Sequence, residues 1–326
     1  MALVPRPRDL TAMLVQAIAR MPMRSLQLPP AAIQTLFELR RRGAGLARKE
    51  TQVGQFTLPY LEGGNLGGPT VVLIHGFGDT KDSFVDASRA LAKTHRLVLP
   101  DLPGFSEASS PHDFTYDLVS MADVVAGFFD ALGIRGADVV GSSLGGAITV
   151  QLSLTRPELL RSMVLVSAAG LRMPTPSPLQ LRLDAGDNPF VLQTHDDYEA
   201  FTRFAMEKPP PIPAPVRRYL ADTAIRRAEL NTKIMADLLA GDWDFTPRLR
   251  DVEAPSLLLW GDHDRFIDLS AGRVYHREMP RSKLVIFHGI GHIPQYECPA
   301  RTGRYIQGFV EAQAAGASRR RGVEAV

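Results

Sequence analysis

Short, uninterrupted apolar runs recur through the middle of the chain. They are Val71-Val72-Leu73-Ile74, Leu97-Val98-Leu99, Ala137-Asp138-Val139-Val140, Met163-Val164-Leu165-Val166-Ser167, Ser256-Leu257-Leu258-Leu259-Trp260 and Lys283-Leu284-Val285-Ile286-Phe287. Each has the length of a strand, and polar residues do not alternate within it. That pattern predicts strands covered on both faces. Between them lie stretches that predict helices over 83–93, near 116–132, from the glycines at 145–146 to Arg156-Pro157, and over 300–313. Residues 51–62 read as two further short strands and 63–69 as a turn. Strands alternating with helices predict an α/β fold with a mostly parallel central sheet flanked by helices.

The alternation stops between residues 172 and 247. This stretch is rich in proline (Pro174, Pro176, Pro178, Pro209, Pro210, Pro211, Pro213, Pro215), with helical patches over 216–227 and 230–239. It reads as a helical cap inserted between sheet strands, dividing the core into 51–171 and 248–313. Residues 1–50 read as an amphipathic helical region. Leu10, Met13, Leu14, Ala17 and Ile18 share one face, and after Pro22 and Pro29-Pro30 a second helix carries Ile33, Leu36 and Phe37. That helix ends on Arg40-Arg41-Arg42, where cations suit the macrodipole. Such helices either pack on the main domain or lie on a lipid surface. Residues 314–326, with Arg319-Arg320-Arg321, read as a disordered basic tail.

Composition adds mainly exclusions. With 37 basic and 35 acidic residues in 326 the net charge is +2, which gives no case for nucleic acid. The single cysteine, Cys298, rules out an intrachain disulfide and reads as a packed or partly exposed thiol. No apolar stretch approaches the ~18 residues of a membrane span. The run from Leu10 to Ala19 is interrupted by Gln16 and stops at Arg20, so it makes a poor signal peptide. These features imply a cytoplasmic or peripherally membrane-associated protein, and they say nothing about oligomeric state.

The strand ends carry the chemistry, because open α/β sheets bind ligands at the carboxyl ends of their strands. Gly141-Ser142-Ser143-Leu144-Gly145 reads as a nucleophile elbow, a sharp strand-to-helix turn whose glycines let Ser143 stand up with its hydroxyl exposed. The strand at 71–74 ends in His75-Gly76-Phe77-Gly78, a small-residue turn able to aim N–H groups at an oxyanion. The two donors are assigned to Phe77 and Leu144. The strand at 256–260 ends in Gly261-Asp262-His263-Asp264, with Asp268 beyond. Asp264 is the preferred triad carboxylate, and Asp262 and Asp268 compete with it. The strand at 283–287 leads to His288-Gly289-Ile290-Gly291-His292-Ile293-Pro294. There His292 is the preferred general base and His288 reads as structural. No His/Cys cluster has metal-ligand spacing, so neither metal nor cofactor is expected. The order Ser143, Asp264, His292 is that of the α/β-hydrolases.

From about residue 51 to 313 the chain resembles an α/β-hydrolase. More narrowly, it is similar to the membrane-associated monoacylglycerol lipases and the bacterial family V lipases. The resemblance rests on His75-Gly76-Phe77-Gly78 with Lys81-Asp82, on Asp101-Leu102-Pro103-Gly104-Phe105, and on Gly141-Ser142-Ser143-Leu144-Gly145-Gly146. Lys208-Pro209-Pro210, Trp260-Gly261-Asp262-His263-Asp264 with Asp268-Leu269-Ser270, and Gly291-His292-Ile293-Pro294 with Glu297 and Pro299 complete it. It implies the acid at Asp264, the base at His292, and a carboxylic-ester hydrolase working through an acyl-enzyme on an ester or acylglycerol. Ser142 stands where many such lipases have Asn, and Ser106 where many relatives have Gly. The N-terminal region lacks the uninterrupted hydrophobic anchor of the animal relatives. Cap residues such as Leu179, Leu181, Leu183, Phe190, Val191, Phe201, Phe204, Met206 and Ile212 could line an acyl tunnel or simply pack the cap. Rival readings are a serine-dependent C–C bond hydrolase on the same fold and a non-catalytic binding module.

Overall fold

The run Val71–Ile74 forms a strand whose side chains part company. Val71 and Leu73 join one apolar cluster, and Val72 and Ile74 join another on the opposite side. The same division holds at Val139 and Val140, Val164 and Leu165, and Leu257 and Leu258. A strand must be apolar at every position when both faces are covered, which is why these segments lack alternation. The computed structural model describes residues 28–316 and 322–326. Within them the chain forms helix α1 (Pro30–Gly43), an antiparallel pair β1 (Leu46–Val53) and β2 (Phe56–Gly64), then β3 (Thr70–Ile74) and β4 (Arg96–Pro100). Helix α2 (Leu118–Ala131), β5 (Ala137–Ser142), α3 (Leu144–Thr155) and β6 (Leu160–Val166) follow. The inserted cap holds α4 (Pro178–Asp184), α5 (His195–Ala205), α6 (Ala214–Arg226) and α7 (Ala228–Ala240). The sheet resumes with β7 (Ser256–Gly261), α8 (Leu269–Glu278), β8 (Ser282–Phe287), the short α9 (Pro294–Glu297), α10 (Pro299–Ala314) and β9 (Gly322–Ala325).

The strands form one sheet in the order β1-β2-β4-β3-β5-β6-β7-β8-β9. β1 and β2 run antiparallel to their neighbours, and pairing from β4 onward is parallel. From β3 the chain steps to β4 on one side and then to β5 on the other. The reversal opens a crevice beyond the carboxyl ends of β3 and β5, the place where such sheets bind ligands. Helices α2, α3 and α8 cover one face through Met121, Phe128, Ile148, Leu152 and Tyr275. The other face is covered by α10 and the 84–91 segment through Phe84, Leu91, Ile306 and Phe309. Every residue of α3 from Leu144 to Ser153 is buried, as befits a helix apolar all round. Truncating a core strand side chain such as Leu165 to Ala costs about 2–5 kcal/mol.

Three expectations need correction. The helical N-terminal region does not reach residue 50, because β1 already begins at Leu46. This edge strand is mostly exposed, so Ala47-Arg48-Lys49-Glu50 carries no apolar alternation to betray it. The helix expected over 83–93 is only a single 3-10 turn, Ala87–Ala90. The chain entering it is pinned by side-chain bonds from Asp79 to Tyr296, from Lys81 to Asp101 and from Asp82 to Arg41 of α1, and by a local Ser83–Asp79 bond. The C-terminal tail is not wholly disordered: it contains β9, which adds to the β8 edge in register from Lys283↔Gly322 to Ile286↔Ala325. Its strand order comes from a partner edge, not from its own composition. Lys283 pairs with Glu324, which also accepts from the Tyr305 hydroxyl at 2.8 Å. The first amphipathic segment and Arg319-Arg320-Arg321 lie outside the described residues.

The second N-terminal helix, α1, packs on the protein. Arg41 makes a bidentate pair with Asp82 (2.8 and 2.6 Å), and Arg40 bonds Asp86 at 2.9 Å. Phe37 lies against Tyr219 of α6, whose hydroxyl meets Gln34 at 2.5 Å. Two of the three arginines are therefore committed to core carboxylates. Among the described residues no helix is long and apolar enough to cross a membrane.

Candidate active site

Ser143 occupies the turn between β5 and α3 with φ 52° and ψ −116°, a conformation costly for any residue with a side chain. The surrounding backbone enforces it. Ser143 N–H donates to Val166 O at 3.0 Å, and Ser143 O accepts from Ala147 N (3.1 Å) and Ala169 N (3.0 Å). A Cβ at Gly141 would lie 2.2 Å from Gly145 O, and one at Gly145 would lie 2.4 Å from His75 O. The turn closes only if both positions lack side chains. Ser143 is half-buried between buried Ser142 and Leu144, so the central serine is the one that reaches the crevice. Ser142 points elsewhere: its hydroxyl bonds Gln295 Nε2 at 3.0 Å.

The loop after β3 lies directly against this turn. A Cβ at Gly76 would sit 3.1 Å from Ser143 Cβ and 3.8 Å from Ser143 Oγ. The N–H groups of Phe77 and Leu144 have no acceptor among the described residues, as an oxyanion site requires. The loop is held from behind. His75 Nε2 accepts from Leu102 N–H at 2.9 Å, and its Nδ1 lies 2.7 Å from Gly76 O, which assigns the proton to Nδ1. Lys81, fully buried, pairs with Asp101 and Glu107, both at 2.7 Å. Tyr296 donates to Asp79 Oδ1 at 2.9 Å. Burial and the Asp79 carboxylate push its phenol well above the usual tyrosine range, so it serves as a donor and not as a base.

The loops expected to carry the acid and the base follow β7 and β8. His292 Nδ1 lies 2.9 Å from Asp264 Oδ2, and both residues are buried. Asp264 Oδ1 accepts from the N–H groups of Phe266 (2.8 Å) and Ile267 (2.9 Å). The carboxylate is thus oriented by backbone donors and spends its second oxygen on the imidazole. The competing residues have other tasks. Asp262 accepts from Gly289 N–H and meets His288 Nδ1, both at 2.7 Å. Although burial opposes it, these two bonds hold the Asp262 carboxyl below the usual range. Asp268 caps α8 through Ser270 N–H. Gln295, three residues after His292, reaches Ser142 beside Ser143, which ties the histidine loop to the elbow. Among the described residues no group of three or more His, Cys, Asp or Glu could hold a metal ion.

Sequence reasoning missed several supports of the site. Phe266 stacks on the His292 ring, with centroids 4.8 Å apart and planes at 24°. Above it, Phe190, Phe201 and Phe204 of the cap pack on Phe266, and Phe190 also meets Phe77. Leu179 and Met206 belong to this cluster, whereas Leu181 (58% exposed) and Val191 (37%) face solvent. Position in the chain gives no signal for these contacts, since the aromatic partners come from separate segments.

Comparison with known proteins bears on this geometry. Residues 69–299 match the family described as alpha/beta hydrolase fold. The chain belongs to the α/β-hydrolase family. Among curated members, this α/β-hydrolase is 30% identical over 260 residues to "Lipase 1" of Psychrobacter immobilis, covering 78% of this chain and 81% of the relative. It is 25% identical over 296 residues to the monoacylglycerol lipase abhd6-B of Xenopus laevis, covering 87% and 88%. Among solved structures, one described as a membrane phospholipase A, a bacterial virulence factor, superposes with a TM-score of 0.86 at 34% identity. That match covers 94% of this chain and 98% of the other.

Proposed function

We propose that this α/β-hydrolase is a carboxylic-ester hydrolase of the esterase/lipase type, with Ser143 as nucleophile, His292 as general base and Asp264 as its carboxylate partner. The observation that carries the reading is the buried His292–Asp264 pair on a loop tied by Gln295 to the strained Ser143 turn. With Nδ1 engaged by Asp264, the imidazole keeps Nε2 for the serine proton. Ser143 Oγ attacks the ester carbonyl as its proton passes to His292, and the oxyanion rests on the Phe77 and Leu144 N–H groups. Collapse expels the alcohol, which takes the proton from His292. Water, deprotonated in turn by His292, then attacks the acyl-enzyme, and the released acid leaves Ser143 reprotonated.

The substrate class follows from the relatives' names and the cap. Lipases and a monoacylglycerol lipase act on esters of fatty acids, and the phenylalanine cluster over His292 offers an apolar wall for an acyl chain. The test is turnover of p-nitrophenyl esters from acetate to palmitate beside monoacyl and triacyl glycerols, phospholipids and a vinylogous diketone. Ser143→Ala and His292→Ala should abolish ester turnover, and His292→Ala should also abolish fluorophosphonate labelling. Full ester turnover by Ser143→Ala, or activity on the diketone alone, would overturn the reading.

The N-terminal region is further proposed to make peripheral contact with a lipid surface. It is basic and amphipathic in sequence, and one solved structure similar to the chain is described as a membrane phospholipase. Deleting residues 1–27 leaves α1 in place. That deletion should lower activity on emulsified lipid more than on a soluble ester, whereas equal losses on both would remove the idea.

A further inference from the structure

The proton path leaves Glu297 unused, yet its carboxylate sits at the join between the cap and the histidine loop. On the cap side, Oε2 accepts from the N–H groups of Glu207 (2.9 Å) and Lys208 (2.8 Å), just past the end of α5. On the other side, Gly291 N–H meets both oxygens at 3.0 Å, and Ile293 N–H meets Oε1 at 3.4 Å. His292 lies between those two donors and gives its own N–H to Ala205 O at 2.9 Å, the last residue of α5. One carboxylate therefore gathers N–H groups from the cap and from both chain neighbours of the general base. Such charge-assisted bonds are among the stronger ones available to a backbone amide. Among the described residues no cation pairs with Glu297, while Arg265 and His263 are turned to the Glu207 carboxylate. The join has no slack. A Cβ at Gly291 would lie 2.8 Å from Glu207 N, 2.9 Å from Ala205 O and 3.0 Å from Glu297 Oε1.

We infer that Glu297 is a positioning residue, which holds His292 within reach of Ser143 by fastening the histidine loop to the end of α5, so that this part of the cap and the general base move as one. The inference rests on the reading of His292 as the base. The imidazole is carried by a loop, and loops hold geometry less well than strands. A displacement of about 1 Å at a reacting group costs on the order of 100-fold in rate. Glu297→Gln isolates the effect. Its amide oxygen can still accept from the Glu207 and Lys208 N–H groups. Its NH2 then faces the Ile293 N–H group and one of the two Gly291 contacts, donor against donor, which leaves the histidine loop held by a single weakened bond from Gly291.

The full chain is assayed on a soluble p-nitrophenyl ester, with active sites counted by fluorophosphonate titration. For Glu297→Gln, kcat per titrated site should fall about 10- to 100-fold with KM within about threefold of the wild type. Amide exchange at residues 291–293 should quicken. Gly291→Ala, which pushes the two sides of the join apart, should lower kcat per site in the same way. A residue that merely stabilises the fold would lower the titratable fraction and leave kcat per titrated site alone. A fall of less than about fivefold in kcat per site in both variants, or a loss carried by KM, overturns the inference. His292→Ala separates the two claims. If that variant turns over ester normally, the base reading fails. If it is inactive while Glu297→Gln matches the wild type, only the positioning claim fails.

Discussion

The two halves of the cap are held to the core by different chemistry. The α4–α5 half is fastened chiefly through backbone groups of the acid and base loops. Leu179 N–H donates to Arg265 O at 2.9 Å, Ser177 Oγ donates to Phe266 O at 2.8 Å, and His292 N–H donates to Ala205 O. The α6–α7 half is fastened by side chains reaching across to the 101–117 loop. Arg227 bonds the carbonyls of Gly104 and Ser106, Lys233 Nζ bonds Phe114 O at 2.9 Å, and Asp237 accepts from Tyr116 N–H at 2.9 Å. Between the halves run the pairs His195–Asp222 (2.7 Å) and Glu199–Arg217 (2.6 Å), both partly exposed. These bonds to the loops that carry Asp264 and His292 tie the first half to the proposed triad. Side-chain bonds can be removed one at a time, so the second half can shift with the chemistry intact.

The largest expected effect lies where the first half meets the triad. Asp264→Asn should lower kcat about 10⁴-fold with the fold retained, because an amide cannot hold the imidazole in the required tautomer. Retention of activity would move the acid to Asp262 or Asp268. In the second half, Arg227→Ala removes charge-assisted bonds to two carbonyls, a loss of about 1.5–3 kcal/mol. Urea unfolding should show that cost. KM for long-chain esters should rise while kcat for a short soluble ester stays near the wild type, and equal losses on both would erase the distinction between the halves. Ser177→Ala deletes the α4 cap and should cost about 1 kcal/mol in the same unfolding assay. Unlike Arg227→Ala, it should change short-ester turnover, because Ser177 also holds Phe266 O beneath the ring stacked on His292.

The smallest effect is set by pH and concerns α1, which braces the second half through Tyr219. Burial raises the Asp86 pKa, but the Arg40 and Arg89 guanidinium groups outweigh it and hold the carboxyl below its usual range. Its folded pKa is thus depressed. The Arg40–Asp86 pair contributes fully above the ordinary carboxylate pKa of about 4 and is lost as pH falls through the lower value. Partly exposed pairs of this kind are worth about 0–1 kcal/mol. Limited proteolysis of α1 from pH 6 to pH 3 should show release at the acid end, and Asp86→Asn should remove that step. An unchanged profile in the variant would place the acid sensitivity outside the Arg40–Asp86 pair.

Much of the proposed site was legible because it is local. The tight turn at Ser143 needs glycine at 141 and 145, and the sequence around it shows them. The apolar runs of β3, β5, β6, β7 and β8 announce themselves because a two-sided burial leaves no polar position. The expectations that failed lie at edges and in pinned loops. β1 is too exposed to carry a pattern, β9 takes its order from β8, and the chain entering the 83–93 segment is pinned at Asp79, Lys81 and Asp82 by Tyr296, Asp101 and Arg41 from distant parts of the chain. The serine pair shows both sides. Its motif alone favoured Ser143, but only the fold assigns Ser142 its bond to Gln295. Ser142→Ala should therefore keep activity within about tenfold of the wild type, and a complete loss would give that bond a larger part in placing the loop.

By itself, then, the chain determined the parallel sheet, the cap between its strands, and the order of Ser143, Asp264 and His292. Periodicity, turn chemistry and short motifs act over a few residues, and those are the distances sequence records directly. The tertiary structure alone decided which aspartate faces His292, what stacks on that ring, and how Glu297 fastens the cap to the histidine loop. Those relations depend on side chains and backbone groups brought together across long loops, where a difference of one hydrogen-bond length selects the partner.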